Sequence, residues 1–504
     1  MQSLRPVLSA AVLLGLFGLA GCDGGNGDTI TITPPPPPEP EFLPIASPTI
    51  SDPPDAGSPV LLTTTFDLAE VGYRQREFFF EGEASRFSNL NEFQADGRWE
   101  AEPAGAAPYK SRLIVYRPED PADFSGTVFV EWLNVTSGFD IAPSWGTGHV
   151  ELLRRGHAWV GVTAQRVGIE GSENSIAPLH LKAANADRYG SLEHPGDSYS
   201  YDMFSQVAQA LREPGPVGLL EGLSPARLIG MGESQSAGRL LTYVNAVHPL
   251  YNPYDGYMIH SRGDGSPPLA QAPDVEVPTP GTVRIRDDLN VPVMNFQTET
   301  DVVLLGAAAD RQPDSERFRL WEVAGSAHGD YYTFVGGRSD TGADALAPVV
   351  VEEDTILGFL RCDRPMNAGS MPWVFKAALR ALDGWVAGGT APPEAPRLSL
   401  TDGGEIERDE FGNAVGGIRT PYVDAPAASL SGEGNDGAAL CFLFGTTELF
   451  DAATMASLYS DREGFISAVN DAAEAAVAAG FLLQEDANRI IGAAGLQWDN
   501  APVE

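Results

Sequence analysis

The chain has 504 residues, with 32 Lys and Arg against 69 Asp and Glu, so its formal net charge is −37. Apolar residues make up 43% of the sequence and charged residues 20%, which is typical of a folded globular protein and excludes a disordered acidic chain. Binding to phosphates needs clusters of Lys and Arg, and none occurs, so the sequence predicts no nucleic-acid partner. The length allows two ordinary domains, or one large α/β domain with an extension.

Residues 1–22 predict an export signal. Arg5 precedes the apolar run Val7–Leu19, which has the length of a secretory signal and is too short to span a bilayer. The run ends in Leu19-Ala20-Gly21-Cys22, which resembles the lipobox of bacterial lipoproteins, where the cysteine becomes the lipid-bearing N-terminus. We therefore expect an exported lipoprotein of the bacterial envelope, facing the periplasm or the cell surface and attached to a membrane through lipid at Cys22. An ordinary cleaved signal peptide is the alternative.

Residues 23–57 predict a tether between that anchor and a folded body. The segment contains an unbroken run, Pro34–Pro38, and further prolines up to Pro54. Such a stretch is stiff and extended and cannot pack into a core.

The two remaining cysteines, Cys362 and Cys441, form an even pair once Cys22 carries lipid. In an oxidising exported compartment, an even pair is typical of a disulfide and not of a metal site. A bond between them would tie the C-terminal part of the chain to the core. Two unrelated buried thiols are the alternative.

Strands and helices alternate from about residue 58, which predicts a parallel sheet covered on both faces. The predicted strands are Tyr73–Glu81, Ser111–Tyr116, Gly126–Leu133, His157–Val162, Leu228–Met231, Val291–Phe296 and Phe318–Val323. The predicted helices are Val150–Arg155, Tyr199–Arg212, Gln235–Val247, Val374–Val386, Ala452–Tyr459, Arg462–Ala479 and Asp486–Ala494. We assign residues 58–395 to the α/β core and residues 396–504 to an extension packed on it.

One segment predicts a nucleophilic serine. The short strand Leu228–Met231 is followed by Gly232-Glu233-Ser234-Gln235-Ser236 and then by a helix, which is the context of a nucleophile elbow. Small residues are needed two positions on either side of the serine because the turn is tight. Both Ser234 and Ser236 fit this spacing. We prefer Ser234 because it directly follows the strand, whereas Ser236 would already lie in the helix.

These residues resemble the α/β-hydrolase superfamily, and in particular exported bacterial proteins known as alpha/beta hydrolase domain proteins, a branch of largely unknown substrate. The resemblance covers about residues 58–500, and it rests on Gly126–Asn134, Gly161–Gly168, Tyr199–Asp202, Gly232–Ala237, Glu299–Asp301, Ala324–His328 and Gly412–Arg419. It implies an α/β-hydrolase fold with a mostly parallel central sheet, helices on both faces, cap insertions and a C-terminal helical or irregular extension. It also implies a nucleophile, an acid and a histidine in that chain order.

His328 is the histidine that satisfies this order, in a small-residue loop directly after the strand Phe318–Val323. His248 and His260 are expected to be structural. For the acid, Glu299 and Asp301 both follow the strand Val291–Phe296. The family pattern favours Asp301, with Glu299 second and Asp264 third.

The surroundings of the site are predicted in less detail. The oxyanion hole is expected to use the amide of Gln235 and an amide near Asn134. Gln165 and Arg166 are candidates for lining the pocket, and the segment Tyr189–Tyr201 for a cap, with ordinary loop polarity and a long surface connection as the alternatives. No metal-binding or dinucleotide-binding motif occurs, so we expect no cofactor.

The sequence therefore predicts a serine hydrolase that cleaves a carboxylic ester, either small or polymeric, through a Ser234–His328–Asp301 triad and an acyl-enzyme. The same residues are compatible with a polyester or lactone hydrolase or an acyltransferase. A non-catalytic surface binding lipoprotein on a hydrolase scaffold is the alternative from another class.

Overall fold

Nine strands form the central sheet in the computed structural model, which describes residues 42–502 except 357 and 359. They are β1 (Thr49–Ser51), β2 (Tyr73–Asn89), β3 (Ala101–Pro118), β4 (Thr127–Trp132), β5 (Ala158–Val162), β6 (Arg227–Glu233), β7 (Gly256–His260), β8 (Val293–Gln297) and β9 (Phe318–Glu322). Across the sheet the order is β1-β2-β3-β5-β4-β6-β7-β8-β9. All neighbours from β5 to β9 are parallel, and β1, β2 and β3 form an antiparallel end.

Helices cover both faces of this sheet. The α-helices are α1 (Pro143–Arg154), α2 (Arg166–Glu170), α3 (Leu181–Ala184), α4 (Ala186–Tyr189), α5 (Ser200–Arg212), α6 (Gln235–Thr242), α7 (His248–Tyr251), α8 (Glu299–Val303), α9 (Tyr331–Phe334), α10 (Met371–Val386), α11 (Pro421–Asp424), α12 (Ala452–Leu458), α13 (Arg462–Ala478) and α14 (Gln484–Asp499). Successive side chains of β4 point to opposite faces. Val128, Val130 and Trp132 therefore pack with α5 and α6, while Phe129 packs with α1 and α10. The predicted two-sided α/β architecture is confirmed.

Three elements are longer than the sequence pattern predicts. Strands β2 and β3 pair along almost their whole length, with a bulge at Arg86, because antiparallel backbone pairing also stabilises stretches that are not apolar. Helix α1 begins at Pro143, seven residues before the predicted start. Its first amides, those of Ser144 and Trp145, donate to the buried carboxylate of Glu131 at 2.9 and 3.0 Å. These bonds satisfy the first free amides of the helix, so its start is set by Glu131 and cannot be predicted from apolar periodicity.

The predicted boundary of the tether at residue 57 is wrong. Residues 49–51 form the edge strand β1, paired with β2, and the amide of Leu43 donates to the carbonyl of Leu250. An edge strand needs backbone pairing on one side only, so it tolerates the prolines that surround it. The export signal, Cys22 and the proline run Pro34–Pro38 lie outside the described residues.

The extension from residue 396 contacts the core directly. Ile418 and Val323 form a parallel bridge that continues the edge of β9, and the strands β12 (Ala428–Ser431) and β13 (Thr446–Leu449) form a separate antiparallel pair. A short hairpin, β10 (Thr355–Ile356) and β11 (Leu360–Arg361), precedes α10. Cys362 and Cys441 are joined by a disulfide, so the extension is also covalently linked to the segment after this hairpin.

Within the described ranges, no helix has the length and apolar character needed to cross a bilayer. The 3₁₀ segments are Leu68–Val71, Pro121–Asp123, Asp197–Tyr199, Ala307–Asp310, Gly336–Ser339 and Cys441–Leu443, and a π-helical segment, Tyr243–Val247, continues α6.

Candidate active site

Ser234 lies at the sharp turn between β6 and α6. Its backbone has φ 57° and ψ −120°, a conformation that side-chain-bearing residues rarely adopt. Its amide donates to the carbonyl of His260 at 2.9 Å, and its carbonyl accepts from the amide of Gly238 at 3.0 Å. The turn therefore holds the serine in a strained position at the carboxyl edge of the sheet, as a nucleophile elbow requires.

The tight turn explains the small residues around Ser234. A Cβ atom on Gly232 would lie 3.0 Å from the carbonyl oxygen of Ser236, and one on Gly238 would lie 3.1 Å from Pro267. The hydroxyl of Ser236 accepts from the amide of Glu233 at 3.0 Å and donates to its carbonyl at 2.7 Å. Ser236 therefore braces the turn, and Ser234 is the serine whose hydroxyl faces the pocket.

A continuous chain of hydrogen bonds joins Ser234, His328 and Asp301. The Nε2 atom of His328 lies 2.8 Å from the Oγ of Ser234, and its Nδ1 lies 2.6 Å from Oδ1 of Asp301. The other carboxylate oxygen of Asp301 accepts from the amide and the hydroxyl of Thr298, at 2.7 and 2.8 Å. Because Asp301 is buried and held at both oxygens, it keeps the Nδ1–H tautomer of His328 and leaves Nε2 facing Ser234.

Glu299, the second candidate acid, makes its hydrogen bonds to other parts of the chain. Its carboxylate accepts from the amides of Gly325 at 2.6 Å and Gly432 at 3.0 Å, and Arg408 lies 3.2 Å away. It therefore links the loop before His328 to the C-terminal extension. Asp264, the third candidate, makes no side-chain hydrogen bond to His328 in the part of the chain that the structure describes.

The extension also supports the histidine loop through Thr300. The hydroxyl of Thr300 accepts from the amide of His328 at 3.1 Å and donates to the carbonyl of Gly432 at 2.6 Å. A Cβ atom on Gly432 would lie 2.5 Å from the Cβ of Glu299, so only glycine allows this approach. The positions of His328 and Asp301 thus depend on residues more than a hundred positions away in sequence.

Glu233 is a residue of the site that the sequence analysis overlooked. Its Oε1 lies 3.3 Å from Nε2 of His328, on the same side of the ring as Ser234. Its Oε2 accepts from Nδ2 of Asn134 at 3.0 Å. A signal was present, because Glu233 is an ionisable residue directly before the candidate nucleophile Ser234.

Burial and the two nearby carboxylates have opposite effects on the pKa of His328. Burial alone would lower the pKa of His328, but the charges of Glu233 and Asp301 and the hydrogen bond from Asp301 raise that pKa above its usual value. Burial raises the pKa of Glu233 to about 7. His260 lies behind the turn, stacked on Phe375, and burial lowers its pKa far enough to keep it neutral.

Of the two predicted oxyanion-hole donors, one is free to bind a ligand and the other is not. The amide of Gln235 begins α6 and has no acceptor among the described residues, so it is free to bind a ligand oxygen. Asn134 is not available in the predicted way, because its amide donates to the carbonyl of Ile141 at 3.0 Å. Its side-chain amide is engaged with Glu233 instead. The loop after β4 closes on itself here, which the sequence alone could not reveal.

Ser234, Glu233 and His328 open into a pocket with mostly apolar walls. The walls are formed by Leu62, Thr63, Thr64, Asn134, Thr136, Ser137, Phe139, Ile141, Ala142, Pro143, Gly146, Ile176, Gly329, Thr333, Phe334, Arg338, Ile356, Leu360, Leu440, Leu443 and Phe444. Apolar walls with a few polar groups are typical of a site for a small organic ligand. The C-terminal extension contributes Leu440, Leu443 and Phe444 to the pocket.

The segment Tyr189–Tyr201 does not line this pocket, so its prediction as a cap is wrong. His194 contacts the carbonyl of Ala164 at 2.9 Å, and Asp197 accepts from Gln165 and from Arg239 of α6, each at 3.1 Å. These polar partners hold the segment against the helix behind the nucleophile. Gln165 and Arg166 are tied to the same segment and do not line the pocket either.

The disulfide joins two segments that line the pocket. Ile356 and Leu360 precede Cys362, while Leu440 and Leu443 flank Cys441, and all four side chains line the cavity. The disulfide between these cysteines, which are 79 positions apart, therefore holds together two apolar segments that line the pocket.

We expect the double variant Cys362→Ser, Cys441→Ser to lose about 2–5 kcal/mol in free energy of unfolding, because a long loop is released in the unfolded chain. Loosening of the two segments should raise KM for long-chain esters more than for acetate esters. Chemical denaturation and a comparison of KM values test both effects. An unchanged ratio of the two KM values would contradict the role of the disulfide in shaping the pocket.

No group of three or more His, Cys, Asp and Glu side chains is arranged to hold a metal ion in the described part of the chain. What the arrangement offers is a hydroxyl, a general base, an orienting carboxylate and a free backbone amide, which together suit nucleophilic attack on a carbonyl.

The sheet order, the elbow after β6, the acid in the short helix after β8 and the histidine in the loop after β9 define an α/β-hydrolase. A family model described as "Alpha/beta hydrolase domain" matches residues 45–492, and the chain belongs to this family. No curated protein matches its sequence significantly.

Several solved structures are similar to parts of the chain. Acetyl xylan esterase 1 from a Thermoanaerobacterium species shares 11% identity, with 43% of this chain and 53% of that one covered and a TM-score of 0.23, so the chain spans about half the length of that enzyme. A glucuronoyl esterase from Solibacter usitatus shares 12% identity over 56% of this chain and 82% of that one, with a TM-score of 0.28. A serine hydrolase without a lid from Xanthomonas campestris shares 11% identity over 47% and 83%, with a TM-score of 0.25.

Proposed function

We propose that this α/β-hydrolase cleaves carboxylic esters with Ser234 as its nucleophile. The observation that carries the proposal is the unbroken hydrogen-bond chain from Ser234 through His328 to Asp301, with distances of 2.8 and 2.6 Å. This series of hydrogen bonds ends at Ser234, which lines an apolar pocket and directly precedes Gln235, whose amide is free. A serine hydroxyl is weakly nucleophilic alone, and this arrangement supplies the base that activates it.

In the proposed reaction, Nε2 of His328 takes the hydroxyl proton as Oγ of Ser234 attacks the ester carbonyl. The amide of Gln235 donates to the oxyanion that forms, and Asp301 stabilises the imidazolium. His328 then gives the proton to the leaving alcohol, and the acyl group remains on Ser234. A water molecule, deprotonated by His328 in turn, attacks this acyl-enzyme, and His328 returns the proton to Oγ of Ser234 as the acyl bond breaks, so the products are one carboxylic acid and one alcohol.

The walls of the pocket favour an ester with an apolar group near the reacting carbon. Phe139, Ile141, Phe334 and Phe444 offer hydrophobic contact, and Arg338 is the one Lys or Arg side chain among the described residues of the wall. We expect nitrophenyl esters of graded acyl length to be hydrolysed, with kcat/KM rising from acetate to medium chains as apolar area is buried. A half-ester of a dicarboxylic acid in the same series shows whether Arg338 favours a substrate that carries a carboxylate.

A fluorophosphonate that reacts with activated serines provides the direct test of the mechanism, with peptide mapping of the labelled residue. Labelling at Ser234 together with turnover of the esters supports the proposal. Absence of both would favour the non-catalytic binding protein, and labelling without net hydrolysis but with transfer to an added alcohol would favour an acyltransferase.

We further propose that the enzyme acts at the bacterial envelope, with residues 1–22 as a lipoprotein signal and a proline-rich tether up to residue 41. The support is the sequence Leu19-Ala20-Gly21-Cys22 and the run Pro34–Pro38. Mass spectrometry of the mature N-terminus decides this, since a lipid-modified Cys22 supports the anchor and an unmodified cleaved N-terminus refutes it.

A further inference from the structure

Glu233 holds a carboxyl group beside the nitrogen that receives the serine proton. Its Oε1 is 3.3 Å from Nε2 of His328, the same atom that lies 2.8 Å from Oγ of Ser234. The side chain is only 5% exposed. Nδ2 of Asn134 donates to Oε2 and to the main-chain carbonyl of Glu233, both at 3.0 Å. The carboxyl group is therefore fixed in place and cannot turn away into solvent.

The interaction of this carboxyl group with His328 changes during proton transfer. In the resting state Nε2 carries a lone pair, which an adjacent carboxylate does not stabilise. Once His328 has accepted the proton, Nε2 carries an N–H group and positive charge, which the carboxylate attracts across 3.3 Å in a buried site. An interaction that is stronger after proton transfer than before it lowers the barrier to the reaction.

We propose that Glu233 is a positioning residue that stabilises His328 in its protonated form, and that Asn134 orients Glu233 for this purpose. The kinetic consequence rests on the ester hydrolysis proposed above. The effect on the ionisation of His328 does not, because it can be measured without any substrate.

The other titratable groups around His328 do not replace Glu233. Asp301 contacts Nδ1, at the opposite end of the ring from Glu233. His260 is neutral because of its burial. Glu131, on the neighbouring strand β4, is engaged elsewhere, because its carboxyl oxygens accept from the amides of Ser144 and Trp145 and from Nε1 of Trp159.

The first test is the pKa of His328 in ¹⁵N-histidine-labelled protein, followed by NMR and assigned with a His328→Gln variant. Replacing the carboxylate in Glu233→Gln removes a negative charge beside Nε2, so the pKa of His328 should fall by about one unit. The matched control is Asp264→Asn, which removes a carboxylate that does not contact the imidazole and should leave this pKa unchanged. An unchanged or higher pKa in Glu233→Gln would overturn the proposal.

The second test is kinetic. In Glu233→Gln, kcat for a nitrophenyl ester should fall about tenfold with KM changed less than about twofold, and the acid limb of kcat/KM should move to lower pH. A purely structural role would lower stability without moving the acid limb. If Glu233→Gln does not fold, Asn134→Ala should show a smaller shift in the same direction. A wild-type protein that hydrolyses no ester refutes the proposed function, while the NMR titration still decides the role of Glu233.

Discussion

Replacing Ser234 with alanine is expected to lower kcat for ester hydrolysis by about 10⁴-fold or more, because the group that forms the acyl-enzyme is lost. The alanine keeps the backbone of the turn, and the hydroxyl contacts only His328, so the free energy of unfolding should change by less than about 1 kcal/mol. Steady-state kinetics with a nitrophenyl ester and chemical denaturation measure the two quantities. Labelling by the fluorophosphonate should disappear in parallel.

Ser236→Ala is the matched control for this variant. Ser236 has the same chemistry two positions away, but its hydroxyl is bonded to the amide and carbonyl of Glu233. Losing these bonds should cost about 1–3 kcal/mol in stability, while labelling at Ser234 persists. Retained turnover in Ser234→Ala, with labelling lost in Ser236→Ala, would mean that the nucleophile is wrongly assigned.

Replacing Asp301 with asparagine is expected to lower kcat by about 10³- to 10⁴-fold. An amide in this position can donate to Nδ1 of His328, and the proton then moves to Nε2, which can no longer accept from Ser234. Substrate binding should be little affected, because Asp301 is buried behind the imidazole and does not line the pocket. The measurement is kcat and KM over a range of pH, compared with wild type.

Glu299→Gln distinguishes the two acids that the sequence left open. Its carboxylate accepts from two amides and contacts Arg408, so its loss should destabilise the fold by about 1–3 kcal/mol. The tautomer of His328 is retained, so kcat of the folded protein should fall less than about tenfold. A large loss of kcat in Glu299→Gln with little loss in Asp301→Asn would reverse the assignment.

The architecture could be predicted from the sequence because each strand and helix depends on a short stretch of residues. The apolar strand before Ser234 and the helix after it are readable from neighbouring residues, and so is the small-residue loop around His328. The length of α1 was missed because its start is stabilised by Glu131, which lies 13 positions earlier. The cap was misplaced because the partners of Asp197 lie on α2 and α6.

The sequence by itself determined the acidic globular composition and the α/β class, and it favoured a bond between the two cysteines beyond Cys22. These follow from residue type and periodicity, whereas the order of serine, acid and histidine was implied by the resemblance to α/β-hydrolases. The tertiary structure decided which acid reaches His328, since Asp301 and Glu299 are two positions apart and point to different partners. It also decided that Glu233 contacts the same nitrogen as Ser234, and that the extension and the segments joined by the disulfide contribute to the wall of the pocket. These contacts join residues distant in the chain, and only packing determines which of them meet.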